Sequence, residues 1–169
     1  MKPARIVAGA ALLIAAWGVQ AKVRAPALPA APTAQDAPTA QDIVDARQAA
    51  MILSASALGA VRGIAARPDS VKGAAFPASG LAKWAAALPA MFPASTRNVP
   101  GTRARHEIWT NRADFKAKAA AFASATAALA NAAKADDKAA LTAAVESTAA
   151  ACKACHDIYQ VPPPPKPAG

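Results

Sequence analysis

Residues 108–129 read IWTNRADFKAKAAAFASATAAL, and their spacing decides the fold. Ile108, Phe115, Phe122 and Leu129 recur every seven positions, with Arg112, Ala119 and Thr126 between them on the same side. Large apolar side chains at this interval form the seam of a helix that faces other helices. The seam is set in alanine, the residue that loses least on entering a helix. Asp136-Asp137 then places two carboxylates where a following helix starts and where its dipole favours them. Leu141, Val145, Thr148, Cys152, Cys155 and Tyr159 continue one face of that last helix.

The same reading extends towards the N-terminus. Asp42 is placed to cap a first helix, and from Ile43 onward Arg47, Met51, Ser54, Leu58, Val61 and Ala65 follow a three/four spacing until Arg67-Pro68-Asp69 stops it. Leu81, Trp84, Leu88 and Met91 give a shorter apolar face. Pro77 either starts that segment or kinks a longer one beginning near Asp69. Phe92-Pro93 through Pro100-Gly101 reads as a loop. Runs of β-branched residues with period two are almost absent. The expectation is an all-α, antiparallel four-helix bundle over residues 42–160, a fold in which cofactors sit among side chains of facing helices.

The flanks read differently. Lys2 and Arg5 before the apolar run Ile6–Trp17, with Val19-Gln20-Ala21 as a small-residue cleavage site, resemble a secretory leader over residues 1–21. That run is too short for a spanning helix of about 20 residues, so no stable membrane span is expected once it is removed. Residues 22–41, rich in Ala, Pro, Thr and Gln, read as a flexible spacer, and residues 161–169 as a Pro-rich tail. Removing Lys2 and Arg5 with the leader takes the formal net charge from +9 to +7. The basic residues are scattered, without the dense runs and interleaved aromatics of a nucleic-acid surface. They point instead to partner proteins with acidic surfaces, attracted by steering.

Both cysteines of the chain fall in Cys152-Lys153-Ala154-Cys155-His156. C-x-x-C-H is the attachment spacing of a c-type haem. Two thiols add to the two vinyl groups on one porphyrin edge, and the adjacent imidazole reaches the iron. On a helix all three side chains share a face. A zinc site needs about four ligands, and His106 is the only other histidine. A dithiol redox pair belongs after a strand in a βαβ pattern, which is lacking here. One covalent haem c with its iron is therefore expected, its apolar face adding to a core that is thin in large side chains. Two ionised propionates would lower the net charge to about +5. The residues leave the iron's other side open. Met51, Met91, His106, Tyr159 and a lysine are all candidates, and Met51 on the inward stripe of the first helix also reads as plain core packing.

The chain resembles the class II c-type cytochromes, the cytochrome c prime family. The residues that carry the likeness are Ala151-Cys152-Lys153-Ala154-Cys155-His156-Asp157, His106-Glu107-Ile108-Trp109 with Phe115-Lys116, and Arg47-Gln48. The resemblance implies a four-helix bundle with His156 as proximal ligand. It also implies that the residue four past Arg47 lies over the distal iron face. In gas-binding members that residue is an apolar non-ligand. In the low-spin cytochrome c-556 branch it is a ligating methionine, and here it is Met51. The sequence departs from the family at Gln160, where arginine is common. Lys153 and Lys166 are the cations nearest His156 in the sequence.

The resulting expectation is a periplasmic, non-enzymatic carrier of single electrons. Cys152 and Cys155 hold the haem, and His156 and Met51 bind the iron. A five-coordinate protein that binds NO or CO is the alternative. A peroxidase has little to work with, because Glu107 and His106 read as residues of a helix start. A homodimer through the Ala-rich first helix is left open.

Overall fold

The computed structural model describes residues 37–162. The expected leader, residues 22–36 of the expected spacer and the expected tail after Pro162 lie outside the described residues. Five α-helices are present among those described: α1 (Ala40–Ala65), α2 (Ala75–Ala87), α3 (Glu107–Thr110), α4 (Arg112–Ala135) and α5 (Lys138–Tyr159). The long helices form a ring in which α1 packs on α2 and α5, and α4 packs on α2 and α5. This is the expected all-α four-helix bundle.

Helix α1 begins earlier than expected. Thr39, not Asp42, is the N-cap. Its hydroxyl accepts from the Asp42 backbone N–H at 3.1 Å, and the Asp42 carboxylate accepts from the Thr39 N–H at 2.8 Å. Asp42 is thus the reciprocal partner of a capping box, which satisfies two otherwise unpaired donors. Ala40 and Gln41, assigned to the spacer, belong to the helix. Pro77 kinks nothing. A short 3-10 turn over Lys72–Ala74 leads into α2, and Pro77 occupies the third residue of that helix. There its missing N–H has no intrahelical partner to lose.

The seam that decides the fold buries Ile108, Phe115, Phe122 and Leu129, with Ala119 and Thr126 between them. It is not one helix. The backbone leaves helical geometry at Asn111, with φ −113° and ψ 54°, so α3 and α4 meet at a break. A seven-residue spacing cannot reveal this, because Ile108 and Phe115 stay buried on the same side across it. After α4, Asp136 takes the left-handed conformation at φ 59° and Asp137 caps α5 by accepting from the Ala140 N–H at 2.9 Å. Both helices are therefore closed by two adjacent aspartates.

Asp136 also ties this corner to the approach to α2. Its Oδ1 accepts from the Val71 N–H at 2.7 Å and from the Ser70 hydroxyl at 2.8 Å. These bonds, that from Ser70 first, hold its carboxyl below the ordinary value of 3.8. The unfolded chain therefore binds this proton more readily, and the contribution to stability is present above 3.8 and is lost as pH falls below it. Asn tolerates the left-handed backbone. Asp136→Asn will thus be less stable at neutral pH, and the gap to the parent will close on acidification through that range. Urea melts at pH 7 and pH 3 check this; a constant gap would refute it.

The stretch between α2 and α3 contains Pro89, Pro93 and Pro100 and offers few regular backbone partners. Its carbonyls are satisfied by side chains instead, as buried polar groups must be. Arg47 Nη1 donates to the Met91 carbonyl at 2.9 Å and its Nη2 to the Thr102 hydroxyl at 2.9 Å. Trp109 Nε1 donates to the carbonyls of Phe92 and Pro93, and Arg112 Nη2 to that of Pro89. Gln48 Nε2 reaches the Gly101 carbonyl at 3.0 Å. Arg47 is buried, stacks 4.2 Å over the Phe92 ring, and fixes this connection to α1. Arg47→Met should keep its stem packing but strand these acceptors, costing about 2–3 kcal/mol. The change will appear as a lower urea midpoint, whereas an unchanged midpoint would contradict the role given to the guanidinium.

Candidate haem cleft

The ring of helices does not close tightly between α1 and α5. Two adjoining cavities, of about 360 and about 430 Å³, open there. Met51, Ala55, Leu88, Cys155 and His156 line both. The first runs on past Arg47, Gln48, Phe92, Ile108, Phe115 and Tyr159. The second is walled by Leu58, Leu81, Phe122 and Cys152, among others. Small residues at Ala55 and Gly59 leave α1 without bulk on this side, so the space follows directly from the sequence.

Helix α5 supplies the chemistry. Cys152 and Cys155 are half-buried thiols one helical turn apart, and His156 follows them at the mouth of the cleft. Burial pushes both thiols up, and for Cys155 the charge of Lys118 opposes this. The His156 imidazolium is disfavoured by burial first and by Arg103 second, while Asp157 works the other way.

The iron-ligand candidates take different places, and of the lysines Lys118 and Lys153 line the second cavity. Met51 stands on α1, across the cleft from α5, and lines both cavities. Met91 lines neither and offers its carbonyl to Arg47. His106 is exposed at the start of α3. Tyr159 is buried on α5 itself, and its hydroxyl donates to Asp114 Oδ2 at 2.6 Å. That bond and burial, with burial the larger cause, push the phenol up to about 12. Its ring continues an edge-to-face stack through Phe115 to Phe92. The cations named beside Gln160 fare less well. Lys153 is paired with Asp157 at 2.7 Å, and Lys166 lies outside the described residues. Arg103, from the segment before α3, lines the first cavity with His156 instead. Sequence spacing gave no signal for it, nor for the task of Arg47.

These residues fit a covalently held planar cofactor. Two thiols three apart and an imidazole share one wall, a thioether faces them, and the intervening surface is mainly aliphatic and aromatic. Arg47 and Gln48 make one end of the first cavity polar, suited to carboxylate groups. A cleft of this kind in a four-helix bundle, with C-x-x-C-H on the last helix, defines a haem-binding class of α-helical cytochrome.

The comparisons agree. The family model described as Cytochrome C' matches residues 42–160, and the chain belongs to that family. Family members hold a covalently attached haem c with its iron. The cytochrome c prime of Alcaligenes xylosoxydans xylosoxydans is 38% identical over 116 residues, 68% of this chain and 89% of that protein. The cytochrome c prime of Pararhodospirillum photometricum is 36% identical over 83 residues, 49% of this chain. That match spans 66% of the latter protein's length, a little under two thirds. Among solved structures, the cytochrome c prime of Rubrivivax gelatinosus superposes with a TM-score of 0.68 at 34% identity, covering 73% of this chain and 98% of its own. A nitric oxide complex of a leucine-to-isoleucine mutant of the Alcaligenes xylosoxidans protein gives 0.64 at 35% identity, covering 73% of this chain and 98% of its own.

Proposed function

We propose that this chain is an exported single-electron carrier of the low-spin, cytochrome c-556-like kind. Cys152 and Cys155 would hold the haem as thioethers, and His156 and Met51 would bind its iron. The observation that carries the reading is the position of Met51 on the wall opposite α5, lining both cavities with His156. When bound, the haem iron supplies reversible one-electron redox chemistry. A ligand set saturated by His156 and Met51 leaves no site to fill or empty during transfer, and a thioether raises the reduction potential. The aliphatic and aromatic lining offers the haem apolar surface to cover. Arg47 and Gln48 place fixed donors at its polar end.

The leader at residues 1–21 supports a periplasmic location. Partners in this reading are redox proteins with acidic surfaces. A second copy of the chain is also admitted, because Ile52 and Leu53 are exposed on α1 at 69% and 68%. Helix α1 is long and apolar enough, by length and composition, to cross a membrane. Its buried Arg47, bonded into the bundle, and its share in the cleft support a bundle helix instead.

A second reading has its own support. A leucine-to-isoleucine mutant of a relative, 35% identical to this chain, has been solved as a nitric oxide complex, and a five-coordinate, gas-binding iron would follow if Met51 only packed. The visible spectrum of the reduced holoprotein decides between the two. A low-spin spectrum unchanged by carbon monoxide supports the carrier, and a high-spin spectrum with prompt carbon monoxide binding supports the gas-binding alternative.

A further inference from the structure

The segment before α3 is fastened to the end of α5 by a short antiparallel pairing. The Arg105 N–H donates to the Tyr159 carbonyl at 2.9 Å and the Val161 N–H to the Arg103 carbonyl at 2.8 Å, with Ala104 opposite Gln160. Val161, the first residue of the expected tail, is therefore held. Side chains reinforce the pairing. Arg103 donates through Nε and an Nη to the Val161 carbonyl at 3.0 and 2.8 Å, and Arg105 Nε donates to the Gln160 carbonyl at 3.2 Å.

This arrangement pins the Arg103 guanidinium. Two bonds to one carbonyl fix the plane of the group, a geometry that a flexible ammonium does not reproduce. Arg103 is also not among the ion pairs of the described residues, so its charge is not cancelled by a carboxylate within bonding range. It lines the same cavity as His156 and Met51. Lys153, the nearest cation to His156 along α5, is neutralised by Asp157. Arg103 thus brings a fixed positive charge to the imidazole side of the cleft from a segment more than fifty positions away.

We propose that Arg103 is a positioning residue that sets the iron's reduction potential from the His156 side. A positive charge nearby disfavours the more positive oxidation state, so Arg103 stabilises Fe(II) over Fe(III). The inference rests on His156 being an iron ligand, as proposed above, and is indifferent to whether Met51 is one. Because Arg103 is exposed, its effect passes partly through water and weakens with salt.

The test is the midpoint potential of the holoprotein by spectroelectrochemistry, at low and at high ionic strength. Arg103→Gln should lower the potential, changing the Fe(II)/Fe(III) ratio at a fixed applied potential about fivefold. The shift should shrink in 1 M salt, and Arg103→Lys, which keeps the charge but not the two-bond clamp, should show a smaller shift than Arg103→Gln. An unmoved potential in Arg103→Gln overturns the proposal. Equal, salt-independent shifts in the Gln and Lys variants also overturn it, since they would mark Arg103 as a clamp alone. Failure of the underlying reading looks different. The spectrum would then be unchanged in His156→Gln, whereas a spectrum that changes in that variant combined with an immobile potential in Arg103→Gln sinks only the role of Arg103.

Discussion

Met51→Leu will turn a closed iron site into an open one. Leucine has nearly the volume of methionine, so the packing of α1 against the cleft is kept while the thioether is lost. The reduced holoprotein should pass from a low-spin to a high-spin spectrum, and its potential should fall as the thioether's stabilisation of Fe(II) disappears. Carbon monoxide affinity should rise by about a hundredfold or more, since an internal ligand that is off the iron for about 1% of the time suppresses apparent affinity by that factor. Optical titration of parent and variant measures all three. Parent and variant with the same spectrum and the same affinity would reduce Met51 to core packing and give the protein to the gas-binding reading. Met51→Ala should show the same change with an added loss of stability from the cavity it creates.

The second large effect concerns the bundle itself. Its fully buried side chains are few and modest. Phe115, Ile108, Leu129 and Leu141 are the largest, followed by valines and threonines and then by alanines. Beside them run cavities of about 360 and about 430 Å³. An occupant of that cleft contributes apolar burial that alanine cannot, and tight occupancy stabilises the native state directly. The double variant Cys152→Ser, Cys155→Ser, which cannot form the thioethers, should therefore melt about 15 °C or more below the parent holoprotein. Its near-ultraviolet dichroism should weaken before its helical signal does. Thermal melts followed at both wavelengths check this, and coincident melting of the two proteins would show that the alanine-rich core is sufficient alone.

Much of this was open to inspection in the sequence, for physical reasons that differ from residue to residue. Ile108, Phe115, Phe122 and Leu129 announce a bundle because large side chains at a fixed interval stand out against alanine. Cys152, Cys155 and His156 announce their chemistry because the attachment reaction itself demands that spacing. Spacing alone showed Met51 as one position on an inward stripe, and the resemblance to the class II cytochromes singled it out as the residue facing the iron; in the structure it stands on α1 across from α5. Other features depend on partners that no local pattern encodes. Thr39 begins α1 because Asp42 bonds back to it, a relation between two polar residues in a region that reads as spacer. Arg47 looks like an oddity on an apolar stripe until the carbonyls of the proline-rich connection come to it. The break at Asn111 leaves the seam intact and so leaves no trace in its period. Arg103 reaches the imidazole side through backbone pairing with residues 159–161, which have no distinctive composition.

The walls of the cleft have one further consequence. They are the first and last long helices of the described chain, with Met51 and His156 about a hundred positions apart. During synthesis and export the α1 wall emerges long before the α5 wall exists. Contacts of such separation close late, after the loop entropy between them has been spent. Until then the α1 face that will line the cleft, with Met51, Ile52 and Leu58 beside Ala55 and Gly59, stands in water. What is a cofactor cleft in the finished protein is thus, in the unfinished one, an apolar helix face without its partner until the last helix arrives.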